Sequence, residues 1–159
     1  MRPLLWLLLS LGSTLPSTTG DRASELADYL PTGPAKAFLS VAKNGQPVRQ
    51  IIVMTERVAV KETGPRETVE HFGETYAFSP TFFAVRAGEP VRIEFWNLQP
   101  DDAHDVLFIG PDASVLMHWK LPPISKTAFT YTFKKPGIYP FVCAMHSPEM
   151  AGEILVLDR

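Results

Sequence analysis

Apolar and polar positions alternate with a period of two along much of the second half of the chain. Val91, Ile93 and Phe95 alternate with Arg92, Glu94 and Trp96, and Phe129, Tyr131 and Phe133 alternate with Thr130 and Thr132. Tyr139, Phe141 and Cys143 share one face of a further segment. Side chains two apart on an extended backbone point the same way, so each pattern predicts a strand with one buried face. Short apolar runs at Thr81–Arg86, Asp105–Ile109 and Glu153–Leu157 predict more strands. They are punctuated by the turn signals Ala87-Gly88-Glu89-Pro90, Gly110-Pro111-Asp112 and Lys135-Pro136-Gly137. From about Thr68 onward the pattern therefore reads as β throughout. It fits an all-β sandwich or barrel of about a hundred residues.

The first part of the chain is different. Met1-Arg2-Pro3 carries a positive charge, Leu4–Leu9 with Leu11 forms a short apolar core, and small or polar residues follow to Gly20. This predicts an export signal over residues 1–20 whose core is too short to span a bilayer, so that cleavage is expected and no membrane span is expected after it. The protein is accordingly expected in a periplasmic or secreted location. Residues 21–65 read as an N-terminal extension of unassigned role. A short helix is expected at Ala23–Leu30 and a strand at Gln50–Val60, and residues 66–159 are expected to form the main domain.

Composition adds two constraints. Fifteen prolines and ten glycines favour a turn-rich β protein, and a net charge of −2 without any Lys/Arg-rich run argues against a nucleic-acid partner. Cys143 is the only cysteine, which excludes an intramolecular disulfide. A free thiol in an oxidising compartment is a liability unless it is buried or bound to something.

The stretch that carries chemistry is Phe141-Val142-Cys143-Ala144-Met145-His146-Ser147-Pro148-Glu149-Met150-Ala151-Gly152. A cysteine leaves the end of a predicted strand, a histidine follows after two intervening residues, and a methionine after three more. Upstream, the loop from Asn97 to His104 supplies a second histidine. Two imidazoles, a thiolate and a weak thioether form the donor set of a mononuclear blue-copper site. The soft sulfur of a deprotonated cysteine suits copper, imidazole binds both oxidation states, and a distant thioether favours Cu(I).

In these residues the chain resembles the cupredoxin family, the group of plastocyanin, azurin and pseudoazurin. The resemblance runs from about Glu74 to Arg159. It includes Phe78-Ser79-Pro80, Val85-Arg86-Ala87-Gly88-Glu89-Pro90-Val91, the Asn97–His104 loop, and Pro136-Gly137-Ile138-Tyr139 leading into the cysteine loop. Met150-Ala151-Gly152-Glu153-Ile154 is similar to the start of the family's last strand. The resemblance implies a Greek-key β-sandwich binding one copper ion. Cys143, His104 and His146 would be its equatorial ligands and Met150 its axial one. It also implies an electron carrier whose redox partners dock near His146. In one departure, Asp105 follows the upstream histidine where many members carry Asn. Its backbone amide is expected to reach the thiolate, and its carboxylate adds negative charge.

Other readings remain open at this point. His71 and His118 are expected not to be ligands, with Met117 and Trp119 as candidates for a docking face. Asp101-Asp102 reads as a solvated turn, or as a steering charge for a partner. A copper enzyme would join this site to a second copper through a histidine beside the cysteine, but the neighbours here are Val142 and Ala144. A binuclear centre needs two cysteines. Copper delivery or storage is an alternative, although none of the five methionines forms a Met-rich run. A red-copper, nitrosocyanin-like variant would use Glu74 or Glu149 in place of the methionine.

Overall fold

The computed structural model describes residues 30–42 and 49–159. The expected export signal and the helix expected at Ala23–Leu30 lie outside them, apart from Leu30, which is in no helix. Among the described residues no helix is long and apolar enough to cross a membrane.

Ten strands follow in chain order: β1 Leu39–Ala42, β2 Arg49–Ala59, β3 Thr75–Ser79, β4 Phe82–Arg86 and β5 Pro90–Asn97, then β6 His104–Ile109, β7 Val115–Leu121, β8 Ser125–Phe133, β9 Gly137–Val142 and β10 Ala151–Leu157. One sheet has the order β1-β8-β5-β2-β3 and the other β4-β10-β9-β6-β7. Pairing is antiparallel except for β2 with β5 and β4 with β10. The two sheets form the expected β-sandwich.

The period-two patterns are the ones that face inward. Val91, Ile93 and Phe95 of β5 are buried, as are Phe129, Tyr131 and Phe133 of β8 and Tyr139 and Phe141 of β9. Rings from the two sheets meet edge to face across the interior, with centroids 5.9 Å apart for Phe95–Phe108 and 5.6 Å for Phe95–Phe141. Such geometry adds about 0.5–1.5 kcal/mol per pair to the gain from burial. This aromatic layer is the floor on which the chemistry-bearing loops sit.

Two places need close backbone approach. Gly88 turns the chain between β4 and β5 with φ of 79°, a conformation that penalises a Cβ, and its N–H donates to Phe133 O at 2.7 Å. At Gly152 in β10, a Cβ would lie 2.3 Å from Phe141 Cζ and 2.7 Å from Thr81 O.

Within the expected extension, β1 pairs with β8 and β2 lies between β5 and β3. Half of the described part of that extension is thus structural sheet. Two expectations need correction. The β pattern from Thr68 is interrupted at its start by a short helix, α1, Arg66–Phe72, none of whose residues is buried. Finally, Met117-His118-Trp119 lies within β7 rather than between strands, and Met117 and Trp119 are fully buried. Neither is available as a docking face. The run Leu116-Met117 buries both neighbours and blurs the alternation.

β2 overruns its neighbour. It pairs with β5 only as far as Met54–Trp96, then continues to Ala59 paired with β3 alone. That overhang carries Tyr76 beyond the end of β5, over the loops that hold the histidines.

Candidate metal centre

His104 is the first residue of β6 and Cys143 follows the last residue of β9. The chain then makes a 3-10 turn at Ala144–His146 and returns through Met150 into β10. Cys143 continues the inward face of Tyr139 and Phe141, so the alternation that buries the core also aims the thiol into it. The turn is closed by its own backbone: His146 N–H donates to Cys143 O at 3.2 Å, Met150 N–H to His146 O at 2.9 Å, and Cys143 N–H to Met150 O at 2.9 Å.

Three donor atoms converge. His104 Nδ1 lies 3.1 Å from His146 Nδ1, and Cys143 Sγ lies 3.5 Å from His146 Nδ1 and 3.8 Å from His104 Nδ1. Two nitrogens about 2.0–2.1 Å and a sulfur about 2.3 Å from one ion span edges of about 3–4 Å, so the triangle fits a single metal. Soft sulfur with two imidazoles is a donor set suited to copper. These three residues are the cluster of potential metal-holding groups among the described residues, and the cluster contains no carboxylate. Met150 is fully buried at the end of the same turn.

The surroundings prepare His104 as a ligand through Nδ1. Its Nε2 faces Gln99 Oε1 at 3.2 Å, and that oxygen also accepts the Thr55 hydroxyl. Gln99 is fixed in this sense because its Nε2 donates to Thr55 O at 3.2 Å. A carbonyl oxygen only accepts, so His104 Nε2 carries the proton and Nδ1 keeps its lone pair for a metal. Asn97 braces the same loop, donating to Asp102 O at 2.7 Å and Leu121 O at 3.1 Å. Tyr76 packs its ring against both imidazoles, at 5.0 Å from His104 and 4.7 Å from His146, and its hydroxyl donates to Asp102 Oδ2 at 2.6 Å.

Burial, reinforced by the neighbouring His146, pushes the His104 imidazole down to about 4. Burial pushes the Cys143 thiol up to about 11. Without metal at neutral pH the imidazole is therefore neutral and the thiol protonated, so metal uptake must release the thiol proton.

Of the residues singled out in the sequence, His104, Cys143 and His146 are brought together, with Met150 buried on the same turn. The Asp105 amide reaches Cys143 Sγ at 3.5 Å. His71 lies on α1, edge-on to Phe72 at 4.7 Å, and His118 contacts Asp105 instead of the cluster. Glu74 accepts from the Lys61 amide at 3.3 Å, and Glu149 is exposed. Asp101 and Asp102 form more than a solvated turn, since Asp101 pairs with Arg57 and Asp102 with Tyr76. Sequence reasoning did not assign roles to Tyr76, Gln99 and Thr55. Gln99 lies in the loop already marked by Asn97 and His104, whereas Tyr76 and Thr55 come from other strands with no local signal.

A family model for the cupredoxin-like domain matches residues 41–156, and the chain belongs to that family. The family binds one copper ion, and His104, Cys143 and His146 are positioned as its candidate ligands. Among solved structures, auracyanin B is 16% identical over 76% of this chain and 99% of its own, with a TM-score of 0.52. The copper nitrite reductase of Nitrosomonas europaea is 13% identical over 72% of this chain and 51% of its own, with a TM-score of 0.53. At these identities the likeness shows the shared fold.

Proposed function

We propose that this chain is a mononuclear type 1 copper protein acting as an electron carrier between exported redox partners. His104, Cys143 and His146 are its equatorial ligands and Met150 its weak axial ligand. The observation that carries the reading is the convergence of His104 Nδ1, His146 Nδ1 and Cys143 Sγ within 3.8 Å of one another. Copper held there supplies a one-electron Cu(II)/Cu(I) couple. The protein contributes a rigid frame: Gln99 orients His104, the backbone turn holds Cys143 to Met150, and Tyr76 packs against both rings. A frame that moves little between oxidation states keeps the barrier to electron transfer low.

Two features favour a carrier over the alternatives. Cys143 is flanked by Val142 and Ala144, so no imidazole leads from the thiolate to a second metal as a copper enzyme would need. Copper delivery calls for an open, exchangeable site, whereas His104, Cys143 and Met150 are each at most 1% exposed. His146 is half-buried and adjoins Met145, which is 60% exposed. A partner docking there approaches the only partly exposed member of the ligand set.

The test is the visible and electron paramagnetic resonance spectrum of the chain loaded with Cu(II). The reading expects an intense thiolate-to-copper band with narrow hyperfine splitting, lost in Cys143→Ser. A protein with only the weak bands of nitrogen and oxygen ligation would refute it.

A further inference from the structure

Asp105 directly follows the ligand His104, and three of its groups are engaged at once. Its backbone N–H points at Cys143 Sγ at 3.5 Å, its Oδ1 accepts the Ala144 N–H at 2.7 Å, and its Oδ2 faces His118 Nε2 at 2.8 Å. The Asp105 side chain is 8% exposed and that of His118 32%. A buried carboxylate must be stabilised by donors that replace water. Here those donors are the Ala144 amide on Oδ1 and the His118 imidazole on Oδ2. Lys120, directly opposite Asp105 in the β6–β7 register, is exposed. His118, which lies outside the ligand cluster, is the side-chain partner that fixes Oδ2.

We propose that His118 is a positioning residue of the copper site, acting through Asp105. It holds the carboxylate against the Ala144 amide beside Cys143, and by offsetting that carboxylate's charge it raises the reduction potential. This rests on the copper reading above. Reduction brings one electron, from a partner or an electrode, to the site next to Cys143. A negative charge a few ångströms away in a poorly screened interior opposes that gain, and a donor on the charge relieves the opposition.

The two residues therefore act with opposite sign. Asp105→Asn removes the charge and raises the potential. His118→Leu removes the donor and lowers it, while His118→Gln, which keeps a neutral donor, shifts it less. Because His118 acts through Asp105, adding His118→Leu to Asp105→Asn changes the potential little further.

The experiment is potentiometric titration of the copper-loaded wild type and these four variants. It is combined with amide hydrogen exchange at Ala144 in the metal-free protein. The proposal expects opposite shifts for the two single changes, near-silence of His118→Leu in the Asp105→Asn background, and exchange at Ala144 about tenfold faster in His118→Leu, the worth of one ordinary hydrogen bond. A His118→Leu shift that is equal in both backgrounds, or absent together with unchanged Ala144 exchange, would overturn it. A wild type lacking the thiolate band would sink the copper reading instead. The Ala144 exchange would then still show whether His118 holds the carboxylate in place.

Discussion

The two halves of the candidate site are built differently. On one side His104 starts a central strand, is 1% exposed, and has its second ring nitrogen taken by Gln99. On the other, Cys143, His146 and Met150 fall within one short turn between β9 and β10, with half-buried His146 beside exposed Met145. One side is fixed by long-range contacts with β2, the other by its own backbone hydrogen bonds. The difference separates two requirements of an electron carrier. On the proposed reading the buried side would set geometry and exclude water, and the loop side would bring a ligand close enough to the surface for electrons to leave.

The sharpest way to break this contrast is to remove each imidazole. His104→Gly and His146→Gly should both abolish the intense thiolate band. Added imidazole should restore it only in His146→Gly, because only that position opens towards solvent. Equal rescue at both positions, followed by visible spectroscopy, would erase the distinction.

Smaller changes probe what supports each half. Gly152→Ala forces a Cβ against the Phe141 ring and the Thr81 carbonyl behind the loop. It should cost about 1–3 kcal/mol of stability, read by denaturant unfolding. Gln99→Leu frees the His104 ring and leaves the Thr55 hydroxyl without its Gln99 partner. It should weaken metal affinity about 10–100-fold, measured by competition with a chelator, with a smaller loss of fold stability.

The smallest effect concerns the buried tyrosines around both halves. Tyr131 and Tyr139 are raised above the ordinary phenol range chiefly by burial, and Tyr76 by burial and then by its bond to Asp102. A raised folded pKa means that the stability contribution is complete below the unfolded value near 10 and is lost as pH climbs towards the folded value. The loss should reach roughly 0.4 kcal/mol per tyrosine by pH 10 and grow above it. Unfolding curves across that range, with absorbance titration of the phenols, check the sign.

The strands and the local part of the site were legible in the sequence because their information is local. Alternation in β5, β8 and β9 survives as burial, and Cys143, His146 and Met150 lie within eight positions. β7 was missed because Leu116 and Met117 are both buried and break the alternation. The place of β1 and β2 in the sandwich was not readable, since a strand's pattern does not say which neighbour it joins. Tyr76 and Thr55 reach the site only because β2 overruns β5 and carries β3 with it, a consequence of register that no spacing encodes. The Asp101–Arg57 and Asp102–Tyr76 contacts were hidden for the same reason.

The most direct test of the central claim is a reductive titration of the copper-loaded chain, followed by its visible band and by copper content after each step. The account predicts that one electron equivalent bleaches the thiolate band completely, that reoxidation restores it, and that copper stays bound throughout. A band that never forms, or bleaching accompanied by release of the metal, would contradict an electron carrier.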